Sequence, residues 1–468
     1  MFSTKKPLSL QKKVLGISLL FVSVLVLGAA IVPRMHDAVE SSSDEETLES
    51  RITAEAIASV YDSLHKEDPY EGTLDRDSMG ASRGLDEVLT AEEAREDLDY
   101  MMDRLRERHP AWLDGSGKHM LVETQYEKEL SALGESISVL DFYRMAARIA
   151  GVLHDGHTSV SWNSYSAQAR AVIDQNTVPQ DAGRPLSING VPAEEVLEVY
   201  KEITSYEIDE YAEACFWDYM IWRESKLRMC GVDTSDGVDM AFQAENGEET
   251  IHFDFVQPKT TNTFAIRETY SIDEKNSVGI FTLPACTYDE HYRKMLDAFF
   301  EKVFSSGVEN VVVDLRANQG GDSRVANEFL TYLDVDEYRS WPAAVRYGWF
   351  LKRYDDVVTA NEKKDSVFDG NLYVLTDVYT YSSGMDFAML VADNHLGTLI
   401  GEPCGNLPDS YGDILRFQLP HSQLKLIVSY KKWWRIDPEK TGEPVTPDIL
   451  CPSEDAMEKA YELIRSQS

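Results

Sequence analysis

The chain has 468 residues, long enough for two or three structural units and a sizeable buried core. It carries 45 basic against 81 acidic residues, a formal net charge of -36, and a surface this acidic repels nucleic-acid phosphates and anionic lipid head groups. DNA or RNA binding is therefore not expected. The five cysteines are scattered without a CxxC pair, which argues against structural zinc and against a disulfide scaffold. Single buried thiols are expected, with Cys215–Cys230 the one pairing left open.

Taken along the chain, the first signal is topological. Lys5, Lys6, Lys12 and Lys13 precede an uncharged apolar run at residues 14–32. At about 1.5 Å per residue such a run approaches the ~30 Å hydrocarbon core of a bilayer. Positive charge ahead of it keeps the N-terminus in the cytoplasm and sends the rest outside. A retained single-pass anchor is expected rather than a cleaved signal, with residues 1–34 as cytoplasmic tip and transmembrane segment. Residues 35–90 are polar and acidic and read as a stalk, with a helix near Ile52–His65.

At Thr90 the pattern changes. Thr90 with Glu93 forms a capping-box signature, and Leu98, Met101, Met102 and Leu105 recur at helical spacing until His109-Pro110. A second helix is expected over Val139–Gly151. Residues 91–160 thus form an N-terminal helical unit that ends in His154-Asp-Gly-His157. Residues 161–270 read as an insert, with helices at Ala193–Ile203 and Tyr206–Arg228. A hairpin turns at Asn246-Gly247 between Val238–Phe242 and Thr250–Phe255. From 271 to 468 apolar strands alternate with helices, which predicts an α/β core around a buried sheet. Strands are expected at Val278–Leu283, Val311–Leu315, Leu372–Thr376, Ile414–Leu419 and Leu424–Tyr430. Helices are expected at His291–Phe304, Ser323–Leu333, Ser383–Asp393 and Glu454–Ile464.

Four places carry chemistry. Ser382 follows a strand and a tight turn and opens a helix, where free N–H groups and the helix dipole favour developing negative charge. The Ser383 N–H can supply one oxyanion contact. Gly320-Gly321 follow another strand, where backbone N–H groups can approach a ligand unobstructed. This is neither a GxGxxG nor a GK[ST] loop, so a nucleotide site is weakly supported. His157 is a general base of the right kind for a serine hydroxyl. The Asp-Gly turn between His154 and His157 breaks helical spacing, so no metal site is expected. The loop from Asp437 to Asp448 supplies carboxylates, Glu439 and Glu443 among them, that can orient a catalytic histidine. Taken one by one, each has a plainer reading: a helix cap, a helix-entry turn, a surface histidine and a solvated loop.

As an ordered set these segments resemble the C-terminal processing (tail-specific) protease family. The residues that carry the resemblance are Leu153-His-Asp-Gly-His157-Thr158, Asp314-Leu-Arg-Ala-Asn-Gln-Gly320-Gly321, and Thr380-Tyr-Ser382-Ser-Gly-Met-Asp-Phe-Ala388, followed by Gly401 to Gly405 and Pro447-Asp-Ile449. The early Asp97-Leu-Asp-Tyr, His109-Pro110 and Ser187-Ile-Asn-Gly-Val-Pro stretches fit the same pattern. The resemblance implies a crotonase/ClpP-like αβ core. One branch of the family uses a lysine in a Gly-Lys-Gly turn as base, and here that turn reads Gly405-Asn406-Leu407. The chain is more similar to the tricorn-core branch, in which the histidine is the base. That implies Ser382 as nucleophile and His157 as base. It also implies an acidic orienter, with Glu443 chosen and Glu439 and Asp155 as alternatives, and an oxyanion hole from Ser383 with Gly320 or Gly321. Two departures are Met385, where many members have Glu, and the lack of a clear PDZ-like segment at 161–270. The expected function is an extracytoplasmic, membrane-anchored serine endopeptidase acting on peptides or unfolded protein, without cofactor. The alternative is a non-catalytic ligand- or protein-binding module on the same fold. The sequence does not set the oligomeric state.

Overall fold

The computed structural model describes residues 72–163, 171–174, 177–178, 183–245, 247–257, 266–354 and 358–467. The expected anchor at 14–32 and the expected helix near Ile52–His65 lie outside the described residues. Among the described residues no helix is long and apolar enough to cross a membrane.

The segment from Gly72 to Thr90, expected as the end of a stalk, lies against the body. Met79, Leu85 and Leu89 are buried, and main-chain bonds join Leu74 to Arg416, Ser82 to Asn163 and Arg83 to Ser422. Met79, Leu85 and Leu89 thus find slots in the body while Val88 stays exposed, a packing that the acidic composition concealed.

Helix α1 (Ala91–Arg108) starts at the expected capping box: the Glu93 N–H donates to Thr90 Oγ1 and the Thr90 N–H to Glu93 Oε2. Its buried face is Leu98, Met101, Met102 and Leu105. Helix α2 (Lys118–Ala132) has little amphipathic pattern and was not anticipated. Helix α3 (Val139–Gly151) matches its expected span and is capped by Ser138. Strand β1 (Ser159–Ser161) follows directly after the His157 turn. In the insert, α4 (Ala193–Glu202) is as expected. The single helix expected over Tyr206–Arg228 is instead α5 (Asp209–Cys215), a π-helical turn at Phe216–Met220 and α6 (Glu224–Met229). The hairpin forms as β2 (Val238–Ala244) and β3 (Gly247–Phe253).

The core then runs β4 (Thr269–Asp273), β5 (Val278–Thr282), α7 (Glu290–Ser306), β6 (Asn310–Asp314) and α8 (Arg324–Leu330). After these come a hairpin β7 (Ala343–Tyr347) and β8 (Phe350–Tyr354), then β9 (Asn371–Thr376), α9 (Ser383–Asp393) and β10 (Thr398–Gly401). A second hairpin, β11 (Tyr411–Gln418) and β12 (Lys425–Trp433), precedes β13 (Ile449–Leu450) and α10 (Ala456–Gln467). The main sheet has the order β4-β5-β6-β9-β10-β13 and is parallel except at β4. Strand alternation divides its core. Val311, Val313 and Val374 face α7, α8 and α9, while Val312, Tyr373 and Leu375 face α10 through Ala456, Ala460 and Ile464.

The second sheet has the order β8-β7-β12-β11, and β1 pairs with the start of β12. Leu415, Phe417, Leu426 and Val428 from this sheet share one core with Leu98, Met101, Met102 and Phe142 of the helical unit. This sheet positions the site. Its long strand β12 holds β1, and therefore the His157 turn, in antiparallel register through Ser159↔Ile427 and Val160↔Leu426. All five cysteines are free thiols.

Candidate active site

Ser382 sits between β9 and α9 with φ 51° and ψ -127°, a backbone conformation that a non-glycine residue adopts only when its surroundings force it. Several contacts force it here. The Ser382 N–H donates to Asn406 Oδ1 at 2.8 Å, and the Tyr381 N–H donates to the Asn318 carbonyl at 2.9 Å. Thr380 Oγ1 donates to the Leu315 carbonyl. Gly320 lies directly behind the serine: a Cβ there would stand 2.7 Å from both Ser382 Cβ and the Ser383 nitrogen. The strand ends of β6 and β9 are thus stitched together, and the serine side chain is turned outward at the start of α9.

The Ser382 Oγ lies 3.0 Å from His157 Nε2, although the two residues are 225 positions apart in sequence. His157 is placed by its own turn and by the second sheet. Its N–H donates to Asp155 Oδ1, and the neighbouring Thr158 Oγ1 accepts the Ser429 N–H from β12. Gly156 is required at the turn, because a Cβ would fall 2.0 Å from the Tyr381 hydroxyl.

Two carboxylates surround the imidazole. Asp155 is fully buried, with Oδ1 3.9 Å from His157 Nδ1 and Oδ2 3.0 Å from Nε2 of the equally buried His109. His109 Nδ1 accepts the Ala111 N–H, so the proton of the neutral ring is on Nε2 and is donated to Asp155. Burial holds His109 below its ordinary value, against the pull of Asp155. Burial works to raise Asp155 as well. The hydrogen bond from His109 and the attraction of His109 and His157 outweigh it and hold Asp155 below the usual carboxylate range. The result is a permanent anion beside His157.

Glu207, from the loop before α5, accepts the Gly156 N–H at 3.0 Å and the Tyr381 hydroxyl at 2.9 Å. Burial and the Asp155 charge push it up to about 6. His157 Nδ1 is buried and makes no hydrogen bond. A contraction of less than about 1 Å would bring Asp155 Oδ1 within bonding range of it.

Asp155, His157 and Glu207 each offer a ligand atom within 4.8 Å of the others. The Glu207 oxygens already accept the Gly156 N–H and the Tyr381 O–H, while those of Asp155 accept the His109 ring and the His157 N–H. The two carboxylates therefore form a hydrogen-bonded platform under the imidazole, and a cation would have to displace those bonds.

The remaining anticipated residues fall as follows. The Gly320 N–H is taken by Asn318 Oδ1 at 2.8 Å. The N–H groups of Gly321 and Ser383 donate to no acceptor among the described residues, and both residues line the cleft beside Ser382. Glu443 and Glu439 are exposed, and the carboxylate that pairs with the His157 ring among the described residues is Asp155. The carbonyl of Glu443 is gripped by Arg435, itself anchored on Asp393, and the Glu439 N–H closes a turn on Asp437. Of the three acids considered from sequence, Asp155 is the one beside the imidazole. His109, Glu207 and Asn406 were not singled out as site residues. Asn406, in the turn that carries lysine in one branch of the family, grips the serine backbone.

Residues 277–451, the α/β core from β5 to β13, match Peptidase family S41. Among solved structures, mature CPAF is similar at 14% identity over 80% of this chain and 96% of that chain, with a TM-score of 0.56. A CPAF mutant gives 13% identity, 80% and 96% coverage, and a TM-score of 0.59. At such identities the likeness establishes the shared fold. The match of this core to a peptidase family marks the chain as a serine protease. No curated protein matches the chain in a sequence comparison.

Proposed function

We propose that this chain is an extracytoplasmic serine endopeptidase that cleaves peptides or unfolded protein through an acyl-enzyme, with Ser382 as nucleophile and His157 as general base. The observation that carries this reading is the 3.0 Å approach of Ser382 Oγ to His157 Nε2 at a strained serine. His157 Nε2 takes the hydroxyl proton as Oγ attacks the peptide carbonyl. The new oxyanion accepts hydrogen bonds from the Gly321 N–H, in the loop after β6, and from the Ser383 N–H at the start of α9. The imidazolium is stabilised by Asp155 and by ionised Glu207, and it passes its proton from Nε2 to the leaving amine. Water, deprotonated by the same nitrogen, then releases the acyl group and restores Ser382. Asp155 is the orienter in this scheme, and its charge is kept fixed by His109.

The lysines ahead of the apolar run at 14–32 support an anchor with the peptidase outside the cytoplasm. The excess of acidic residues suits a soluble exported body.

Hydrolysis of an unfolded, fluorophore-quenched protein by the full chain tests the proposal. Turnover that is lost in both Ser382→Ala and His157→Ala is expected. Turnover that survives either substitution overturns it.

A further inference from the structure

Beside Ser382 opens a cavity of about 340 Å³, bordered among others by Ser382, Met385, Asp386, Tyr411, Asp413 and Trp433. Asp386 lies one helical turn after Ser382 on α9, and its N–H bonds back to the Ser382 carbonyl at 2.8 Å. Both Ser382 and Asp386 border this one cavity, so the carboxylate stands in the same cleft as the serine.

The other charges around this cavity are already answered. Asp322 is held by Arg324, and Asp413 is paired with Lys431. Asp386 is different: among the described residues no hydrogen bond or ion pair engages its carboxylate, though it is partly buried. Leaving a carboxylate without a partner at such a place costs free energy unless something else supplies the counter-charge. Burial, with the Asp413 charge added, pushes Asp386 up to about 7. A cation placed beside it would favour the ionised carboxylate that burial disfavours.

We infer that Asp386 is a specificity residue: it receives the ammonium or guanidinium of a substrate lysine or arginine next to the scissile bond. Trp433 offers an apolar surface along which the stem of such a side chain can lie. The part of this inference that concerns cleavage rests on the peptidase reading above. The cation site itself does not.

The test uses the full chain and two probes of one shape, benzamidine and neutral benzamide, titrated by calorimetry at pH 8. Benzamidine is expected to bind wild type at least ~10-fold more tightly than benzamide, the size of one charge-assisted hydrogen bond. In Asp386→Asn, an isosteric change, that preference is expected to fall to within about twofold. Cleavage of an N-acetylated peptide library is expected to fall beside lysine or arginine, the acetyl group removing any contribution from a free α-amine. Equal binding of the two probes to wild type overturns the inference without any variant, and so does an undiminished preference in a folded Asp386→Asn. Labelling of Ser382 by a fluorophosphonate is run in parallel. Benzamidine bound without labelling keeps the cation site and removes the peptidase reading. Labelling without benzamidine preference does the reverse.

Discussion

Ser382 and His157 meet at 3.0 Å, but the regions that deliver them are built by different means. Ser382 is held by main chain and neutral amides: a forced φ of 51°, Gly320 behind it, and Asn318 and Asn406 on the flanking peptide groups. His157 is held among charges, with Asp155 and Glu207 below it and His109 behind Asp155. The serine side prepares a shape and two free N–H groups. The histidine side prepares a field. Damage should differ accordingly: losing geometry removes the reaction, whereas losing charge should grade it and make it sensitive to pH.

The largest effects should come at the contact itself. Ser382→Ala and His157→Ala are each expected to lower kcat by up to ~10⁶-fold, and the double variant by no more than either alone, because the pair acts as one unit. Steady-state kinetics on the three proteins would show additivity if that unit does not exist.

Asp155→Asn is expected to cost up to ~10⁴-fold in kcat. Its denaturant midpoint should also fall, since a buried charge-assisted bond worth roughly 1.5–3 kcal/mol is lost at His109. An active and equally stable variant would mean that the Asp155 carboxylate is not what orients His157.

Glu207→Gln separates function from stability. The folded carboxyl is raised to about 6 from its ordinary 4.5, so its ionisation opposes folding. Wild type loses that increment as pH rises from 4.5 through about 6, and above 6 the loss is complete. The melting temperature of Glu207→Gln relative to wild type should therefore climb over this window and then level off. Activity should drop by ~10-fold as the imidazolium formed during the reaction loses a neighbouring anion. Parallel melting curves across that range would show that Glu207 does not titrate there.

Glu443→Gln is expected to leave kcat/KM within about twofold, since that side chain is exposed and remote in bonding from His157. A large loss there would place the orienter in the C-terminal loop after all.

The same contrast explains what the sequence made legible. The serine side is local. Strand, turn and helix around Ser382 lie in one continuous stretch, as do β6 and Gly320-Gly321, so hydrophobic runs and small-residue turns revealed them. The expected spans of α1 and α3 agree with the structure to within a residue because capping residues mark their starts, and that of α9 agrees although Ser382 makes no side-chain cap. The histidine side is assembled from the turn at residues 155–157 with residues 109 and 207, which reach it only through tertiary packing. No spacing rule connects His109 to Asp155, and nothing around Glu207 distinguishes it from the other acids of a strongly acidic chain. Glu443 was chosen by its place in a familiar order of motifs, but the turn at Gly442 and the grip of Arg435 carry it elsewhere. The long helix expected over Tyr206–Arg228 failed for a related reason. Its apolar pattern continues, yet the backbone opens into a π turn at Phe216–Met220, where both Phe216 and Trp217 are buried.

The central claim is an activated serine at residue 382. The most direct test is to treat the full chain with a fluorophosphonate and locate the adduct by mass spectrometry. The account predicts modification at Ser382 that disappears in His157→Ala. A folded wild-type protein that stays unmodified, or carries the adduct on another residue, would contradict it.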